Sequence, residues 1–286
     1  MDKKTIVVTG SSGFVGLNLV KRLKKFDYQI IELDYTNNID LTSWKEVNRI
    51  RKIDLIIHLA ASVYIPDSYI SPREFYYNNM VSTLNMLELC RRENSKIIYV
   101  SSYVYGKPQY LPIDEKHPVS SLNPYSRSKV ISEQLCVGYN RDFGVPTIIF
   151  RPFNIYGPKQ NDNFLIPLIQ KQIKEKGIIQ LKDPRPKRDF IHIDDVVSAY
   201  CKSIEYILDL KNNLDFEIFN LGSGISYSVK EVAELLVSKT GKNIPINFSE
   251  DQRKGEVLDT VANITKLSNR LNWEPQIEFK QGIKQL

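Results

Sequence analysis

The chain has 286 residues, of which 42% are hydrophobic and 25% charged, and its formal net charge is +6. A chain of this length buries a sizeable core unaided, which excludes a disulfide-stapled miniprotein and a disordered segment. No apolar run approaches the roughly 20 residues that cross a bilayer. The basic balance points to an anionic partner, and nucleic acid and a small phosphorylated ligand both fit it.

Five short runs rich in isoleucine and valine, at 5–9, 29–33, 55–59, 96–100 and 146–150, read as strands buried on both faces. Amphipathic stretches at 14–25, 44–52, 75–92 and 125–143 read as helices between them. This alternation implies an α/β fold, a Rossmann-type doubly wound parallel sheet with helices on both faces. The pattern changes at the breaker Gly157-Pro158. A helix at 164–174, a strand at 178–182 and a Pro-rich basic loop at 183–188 follow. Then come a helix from about Asp194, a strand at 216–221 and a helix at 228–240, where Ser228 and Glu231 have capping-box spacing. We therefore expect a dinucleotide-binding domain over 1–160, to which about 189–222 returns. A smaller C-terminal substrate-binding lobe would occupy 161–286 and close over the strand ends.

Cys90, Cys136 and Cys201 are odd in number and widely spaced, and read as reduced core thiols. His58 and His192 lie in apolar, strand-like contexts and read as packing residues, and His117 lies in a Pro-rich loop. Nothing in the spacing of histidines, cysteines and carboxylates suggests a metal. Asp194 and Asp195 read as a cap for the helix that follows. The start, Met1-Asp2-Lys3-Lys4, runs directly into a strand and leaves no room for a signal peptide, so a cytoplasmic protein is expected.

Gly10, Gly13 and Gly16 follow the first strand and open a helix, with Ser12, Phe14 and Val15 between them. Glycine allows a tight turn and close backbone approach, and a helix N-terminus offers free N–H groups to a pyrophosphate. The spacing is one residue longer than the common dinucleotide fingerprint, but its place between strand and helix is the one that chemistry needs. Asp34 ends the second strand. A carboxylate there accepts both ribose hydroxyls and repels a 2′-phosphate, which favours NAD over NADP.

Tyr125 and Lys129 are four residues apart and share a helix face. Free tyrosine titrates near about 10 and is a poor base. A nearby ammonium and a positively charged nicotinamide lower that value and let the phenol exchange a proton with a sugar hydroxyl. Ser101, just after the 96–100 strand, lies at the sheet edge where a substrate hydroxyl would meet it.

In this order the glycine turn, Asp34, Ser101 to Gly106 and the Tyr125/Lys129 pair resemble the extended short-chain dehydrogenase/reductase family, the NAD-dependent epimerases and dehydratases of nucleotide sugars. The resemblance extends through Asp40-Leu41, His58 to Ala61, Asn79 to Asn85, Arg151 to Pro158, Arg188 to Asp195 and Arg253 to Glu256. It implies that Tyr125 is the acid/base, that Lys129 holds the nicotinamide ribose, and that Ser101 bridges the substrate oxygen and Tyr125. Asp40 and Leu41 would lie near the adenine, and Leu59, Ala60 and Ala61 would line the cofactor. Asn154, Arg188 and Arg253 would hold the diphosphate of the sugar nucleotide, a task that suits the always-charged, bidentate arginine. A homodimer through 75–92 and 125–143 is implied by resemblance alone.

The family's sugar dehydratases carry an Asp-Glu pair just after the strand-end hydroxyl residue, where Ser102 and Tyr103 stand here. Its decarboxylases carry a glutamate there, and the 3,5-epimerase/4-reductases carry a histidine where Lys159 stands. Two reactions remain open. One is epimerisation at C4 through a transient 4-keto sugar. The other is NAD(P)H-dependent reduction of a 4-keto-6-deoxy nucleotide sugar, which the short 34–40 segment favours and Asp34 disfavours. Tyr103 is a candidate second acid. A non-catalytic RNA- or cofactor-binding role fits the basic charge but leaves Ser101, Tyr125 and Lys129 without a task, so neither nucleic acid nor membrane is expected as a partner.

Overall fold

The computed structural model describes residues 3–209, 216–249 and 256–286. In chain order the elements are β1 (Lys4–Thr9), α1 (Phe14–Leu23), β2 (Tyr28–Leu33), α2 (Trp44–Val47), β3 (Leu55–His58), α3 (Ile65–Ile70), α4 (Pro72–Glu93), β4 (Lys96–Val100), α5 (Pro124–Phe143), β5 (Thr147–Pro152) and β6 (Asn154–Tyr156). They continue with α6 (Leu165–Lys176), β7 (Ile179–Leu181), β8 (Lys187–His192), α7 (Ile193–Asp209), β9 (Phe216–Leu221), β10 (Ser226–Ser228), α8 (Val229–Thr240), β11 (Ile246–Phe248), α9 (Thr265–Leu271) and α10 (Phe279–Lys284).

The chain divides into two units. The first takes 1–106, 118–152 and 197–219; the second takes 107–117, 153–196 and 220–286. The segment that returns to the first unit is thus shorter than the expected 189–222, and 107–117 leaves it.

The first unit holds a six-stranded sheet in the order β2-β1-β3-β4-β5-β9. The pairings among β1 to β5 are all parallel. All four residues of β3 and all six of β5 are buried, as continuous apolar runs require when helices cover both faces. Val7, Ile56, Ile97 and Ile149 form one core with Met86, Leu87 and Cys90 of α4 and Cys136 of α5. The strand order reverses at β1, and the crevice at such a reversal is where ligands bind in this architecture.

Helix α5 begins at a capping box in which Asn123 accepts from the Ser126 N–H at 2.8 Å, and it ends at Gly144 in the left-handed conformation. Helix α2 ends at Val47, five residues short of its expected end. Arg92 of α4 donates to the carbonyls of Asn48 at 3.1 Å and Ile50 at 2.6 Å, acceptors that a longer helix would need for itself.

In the second unit β10-β8-β6 form one sheet and β11-β7 a parallel pair. Strand β8 pairs antiparallel with β10 and parallel with β6. Ile166 and Ile169 of α6, Val232 and Leu236 of α8 and Phe279 of α10 pack with Tyr156 and Phe190 into its core. The Ser228–Glu231 capping box forms as the spacing predicts. The Asp195 carboxylate also reaches outside its own helix, accepting from the N–H groups of Gln276 and Ile277 at 2.9 and 3.0 Å.

Candidate active site

The glycine turn lies at the carboxyl end of β1, between that strand and α1. Gly10 is in the left-handed conformation, and a Cβ there would stand 2.8 Å from the Ala60 nitrogen. A Cβ on Gly16 would stand 2.1 Å from the Gly10 carbonyl oxygen, so only glycine lets helix and turn pack this closely. Gly13 caps α1 without a side-chain hydrogen bond, and the first turn carries no acidic residue. The N-terminal N–H groups at Phe14, Val15 and Gly16 are therefore left for an anion.

Asp34 accepts from the Ser12 N–H at 3.2 Å and from the Thr36 N–H at 3.0 Å. Burial pushes its carboxyl up, but the hydrogen bonds from Ser12 and Thr36 outweigh that and hold it below the usual carboxylate range. Leu59, Ala60 and Ala61 follow β3 and are partly buried, with the Ala60 N–H donating to Thr9 Oγ1 at 3.1 Å. Asp40 is occupied locally, its Oδ1 accepting from the Thr42 N–H and hydroxyl at 2.9 and 2.7 Å. Leu41 is buried, and its carbonyl accepts from Asn85.

Tyr125 lies in the first turn of α5, and Lys129 lies one turn further on. Lys129 is only 2% exposed, with its Nζ 4.5 Å from the centroid of the Tyr99 ring. Burial lowers its ammonium to about 7 against the opposing pull of Cys136 and Glu133. Glu133 makes a buried bidentate pair with Arg151 at 3.0 and 2.5 Å, and Arg151 also donates to the Tyr105 hydroxyl at 3.1 Å. Burial raises the Tyr125 phenol, while a hydrogen bond with the Ser102 side chain acts in the opposite sense.

Ser102 thus acts on the Tyr125 phenol beside the expected Ser101. Ser101 is 4% exposed and its hydroxyl has no hydrogen-bond partner among the described residues. Tyr103 donates its hydroxyl to the Gly106 carbonyl at 2.6 Å, which leaves its proton engaged locally.

In the second unit Asn154 donates to the Asp189 carbonyl at 3.3 Å. Arg188 is ion-paired with Glu256 and donates to the carbonyls of Val257 and Lys187 at 2.7 and 2.8 Å. Sequence reading did not single out Glu256 as the partner of this arginine. The Asp189 carboxylate accepts from Ser223 N–H and hydroxyl, Gly224 N–H and Ala262 N–H, pinning β8 to two later segments. Arg253 lies outside the described residues.

A family model for the NAD-dependent epimerase/dehydratase family matches residues 6–222. The chain belongs to this family. A Methanocaldococcus jannaschii relative, provisionally named UDP-glucose 4-epimerase, is 32% identical over 98% of this chain and 96% of its own length. The UDP-glucose 4-epimerase of Bacillus subtilis is 27% identical over 98% of this chain and 94% of its own. Among solved structures, UDP-glucose 4-epimerase from Thermotoga maritima with UDP-glucose is similar at a TM-score of 0.88 and 25% identity, covering 98% of this chain and 96% of that one. RMD from Pseudomonas aeruginosa complexed with NADPH is similar at 0.87 and 28% identity, covering 99% and 97%.

The protein is thus an NAD-dependent enzyme, and its residues fit that cofactor. The uncapped start of α1 suits the pyrophosphate, and Asp34 at the end of β2 suits a ribose without a 2′-phosphate. No helix among the described residues is long and apolar enough to cross a membrane.

Proposed function

We propose that this protein is a 4-epimerase of UDP-sugars, with Tyr125 as acid/base. The single observation that carries the reading is Tyr125 in the first turn of α5 with the buried Lys129 one helical turn away. Gly10, Ser12, Gly13, Phe14, Val15, Gly16 and Asp34 hold the dinucleotide, Leu59, Ala60 and Ala61 line it, and Lys129 binds its ribose. Asp40 and Leu41 stand near the adenine. When bound, NAD would supply a reversible hydride acceptor for C4 and a positive ring charge.

Tyr125 accepts the C4 hydroxyl proton and later gives it back, and Ser101, whose buried hydroxyl has no hydrogen-bond partner among the described residues, bridges the substrate oxygen and Tyr125. Burial alone keeps the phenol protonated, so Lys129 must be charged for Tyr125 to act as a base. Asn154, Arg188 and Arg253 hold the diphosphate, Arg188 by exchanging Glu256 for phosphate oxygens. The relatives named above as UDP-glucose 4-epimerases support this substrate class over a 4-keto-6-deoxy sugar.

The test is to incubate the enzyme as purified with UDP-glucose, UDP-N-acetylglucosamine and their galacto isomers, and to follow the C4 configuration by NMR. Interconversion without added cofactor is expected, and Tyr125→Phe should bind NAD yet lose nearly all turnover. No interconversion, with reduction of a 4-keto-6-deoxy nucleotide sugar by NADH or NADPH, would replace the epimerase with a reductase.

The reading includes a cytoplasmic setting, in keeping with three unpaired thiols. It also includes a homodimer through α4 and α5, which pack on each other and expose Tyr77, Leu84 and Phe143. Sedimentation showing only monomer at micromolar concentration would remove the dimer.

A further inference from the structure

A chain of buried hydrogen bonds crosses the first unit, built from side chains that touch neither the turn's free N–H groups nor the Tyr125 hydroxyl. Thr9, the last residue before Gly10, accepts from the Ala60 N–H at 3.1 Å, and its Oγ1 lies 2.8 Å from His58 Nδ1. His58 Nε2 lies 3.2 Å from Thr83 Oγ1, and Thr83 donates to the Asn79 carbonyl at 2.7 Å. Asn79 donates from Nδ2 to Ser128 Oγ at 2.8 Å, and Ser128 donates to the Tyr125 carbonyl at 2.7 Å. Ser132 also donates to the Asn79 carbonyl, and the Ser62 backbone brackets the Asn79 amide through its N–H at 2.8 Å and its carbonyl at 3.1 Å. Thr9, His58, Asn79, Thr83, Ser128 and Ser132 are all at most 1% exposed.

One arrangement of the hydrogens satisfies every group in this chain. With the Thr83 hydroxyl donating to the Asn79 carbonyl, Thr83 Oγ1 accepts from His58, whose Nε2 carries a proton. The other ring nitrogen is then bare and accepts from the Thr9 hydroxyl, whose free lone pairs take the Ala60 N–H. A proton on both ring nitrogens would make the imidazole a cation, which this buried site disfavours. Burial and the charge of Lys129 act in the same direction, lowering the imidazole to about 3.

We propose that His58, fixed as the neutral Nε2–H tautomer, is a positioning residue that couples the cofactor-binding turn to the helix carrying Tyr125, with Thr83 and Asn79 as the joint. The part concerning turnover rests on the reading of Tyr125 given above; the parts concerning tautomer and cofactor affinity do not. The ends of the chain identify what it positions. At one end Thr9 ties the Gly10 turn to Ala60, where the cradle is so close that a Cβ on Gly10 would meet the Ala60 nitrogen at 2.8 Å. At the other end Ser128 holds the backbone of Tyr125 itself. Losing the joint lets two halves of the site shift relative to each other, and small misplacements cost rate steeply.

The experiment compares Thr83→Val, isosteric but unable to accept from His58, with Thr83→Ser, which keeps the hydroxyl. In the wild-type holoenzyme, 15N-resolved imidazole spectra should show His58 protonated at Nε2 only and unchanged from pH 5 to 9. In folded Thr83→Val the Kd for NAD should rise about tenfold, the scale of one lost hydrogen bond to a buried group. Turnover should fall by about tenfold to a hundredfold, with the KM for the sugar nucleotide little changed; Thr83→Ser should restore both. A His58 that titrates in this range, or that is protonated at Nδ1, overturns the proposal. So does a folded Thr83→Val with wild-type NAD affinity. A wild-type protein that binds NAD but epimerises no UDP-sugar defeats the functional reading alone, while the spectra and NAD affinities still decide this one. Should Thr83→Val not fold, His58→Gln, which keeps a donor and an acceptor, is expected to retain more NAD affinity than His58→Phe; equal affinity in the two overturns the proposal.

Discussion

Replacing Lys129 by methionine should make the cofactor-stripped protein more stable while abolishing turnover. Lys129 is 2% exposed, and burial brings its ammonium from the ordinary range to about 7. The unfolded chain keeps an ordinary lysine near about 10.4. Between those two values the unfolded state binds the proton more tightly, so the wild type gains stability as pH rises from about 7 towards about 10. At about 1.4 kcal/mol per tenfold, the burial penalty at or below neutral pH is at most roughly 5 kcal/mol. Methionine has similar length, needs no solvation, and can pack against the Tyr99 ring where the ammonium now lies. Replacing a buried charge by a well-packed apolar group commonly returns about 1–4 kcal/mol. Urea midpoints at pH 6.5, 8 and 9.5 would read the difference, with equal slopes confirming that the folded state is retained. The variant should be the more stable at pH 6.5, and its advantage should shrink with each step. A variant less stable at pH 6.5, or an advantage that grows with pH, would refute the account of Lys129 as a buried, costly cation kept for its function.

Other outcomes test neighbouring parts of the site. Ser101→Ala should cut turnover by about a hundredfold, the scale of a lost hydrogen-bond donor in an active site. Near-wild-type turnover in that variant, with the loss appearing in Ser102→Ala instead, would move the bridging place to Ser102. Arg151→Met should destabilise the chain by about 3–5 kcal/mol, since Glu133 would remain buried and unpaired. The double variant with Glu133→Leu should recover much of that loss in the same urea titrations. A double variant no more stable than Arg151→Met would show that the unpaired carboxylate is not the source of the cost.

Features set by residues close in sequence are legible from the sequence itself. The strands declare themselves as short isoleucine and valine runs, because a parallel sheet covered on both faces tolerates little else. Three glycines after the first strand, a tyrosine and lysine four apart, and Ser228 with Glu231 each depend on the geometry of one or two turns of chain. The structure places them as that geometry requires. What the sequence does not carry are choices made by partners remote along the chain. Arg92 takes the carbonyls at Asn48 and Ile50, 44 and 42 residues away, and so ends α2 early. Asp195, at the start of its own helix, serves backbone N–H groups 81 and 82 residues further on. His58, in an apolar run, reads as packing, yet Thr9 and Thr83 claim both of its ring nitrogens. Backbone periodicity is a local property and can be read from spacing. The direction of a buried hydrogen bond depends on which distant donor or acceptor the packed chain brings within 3 Å, and that is decided only once the core has formed.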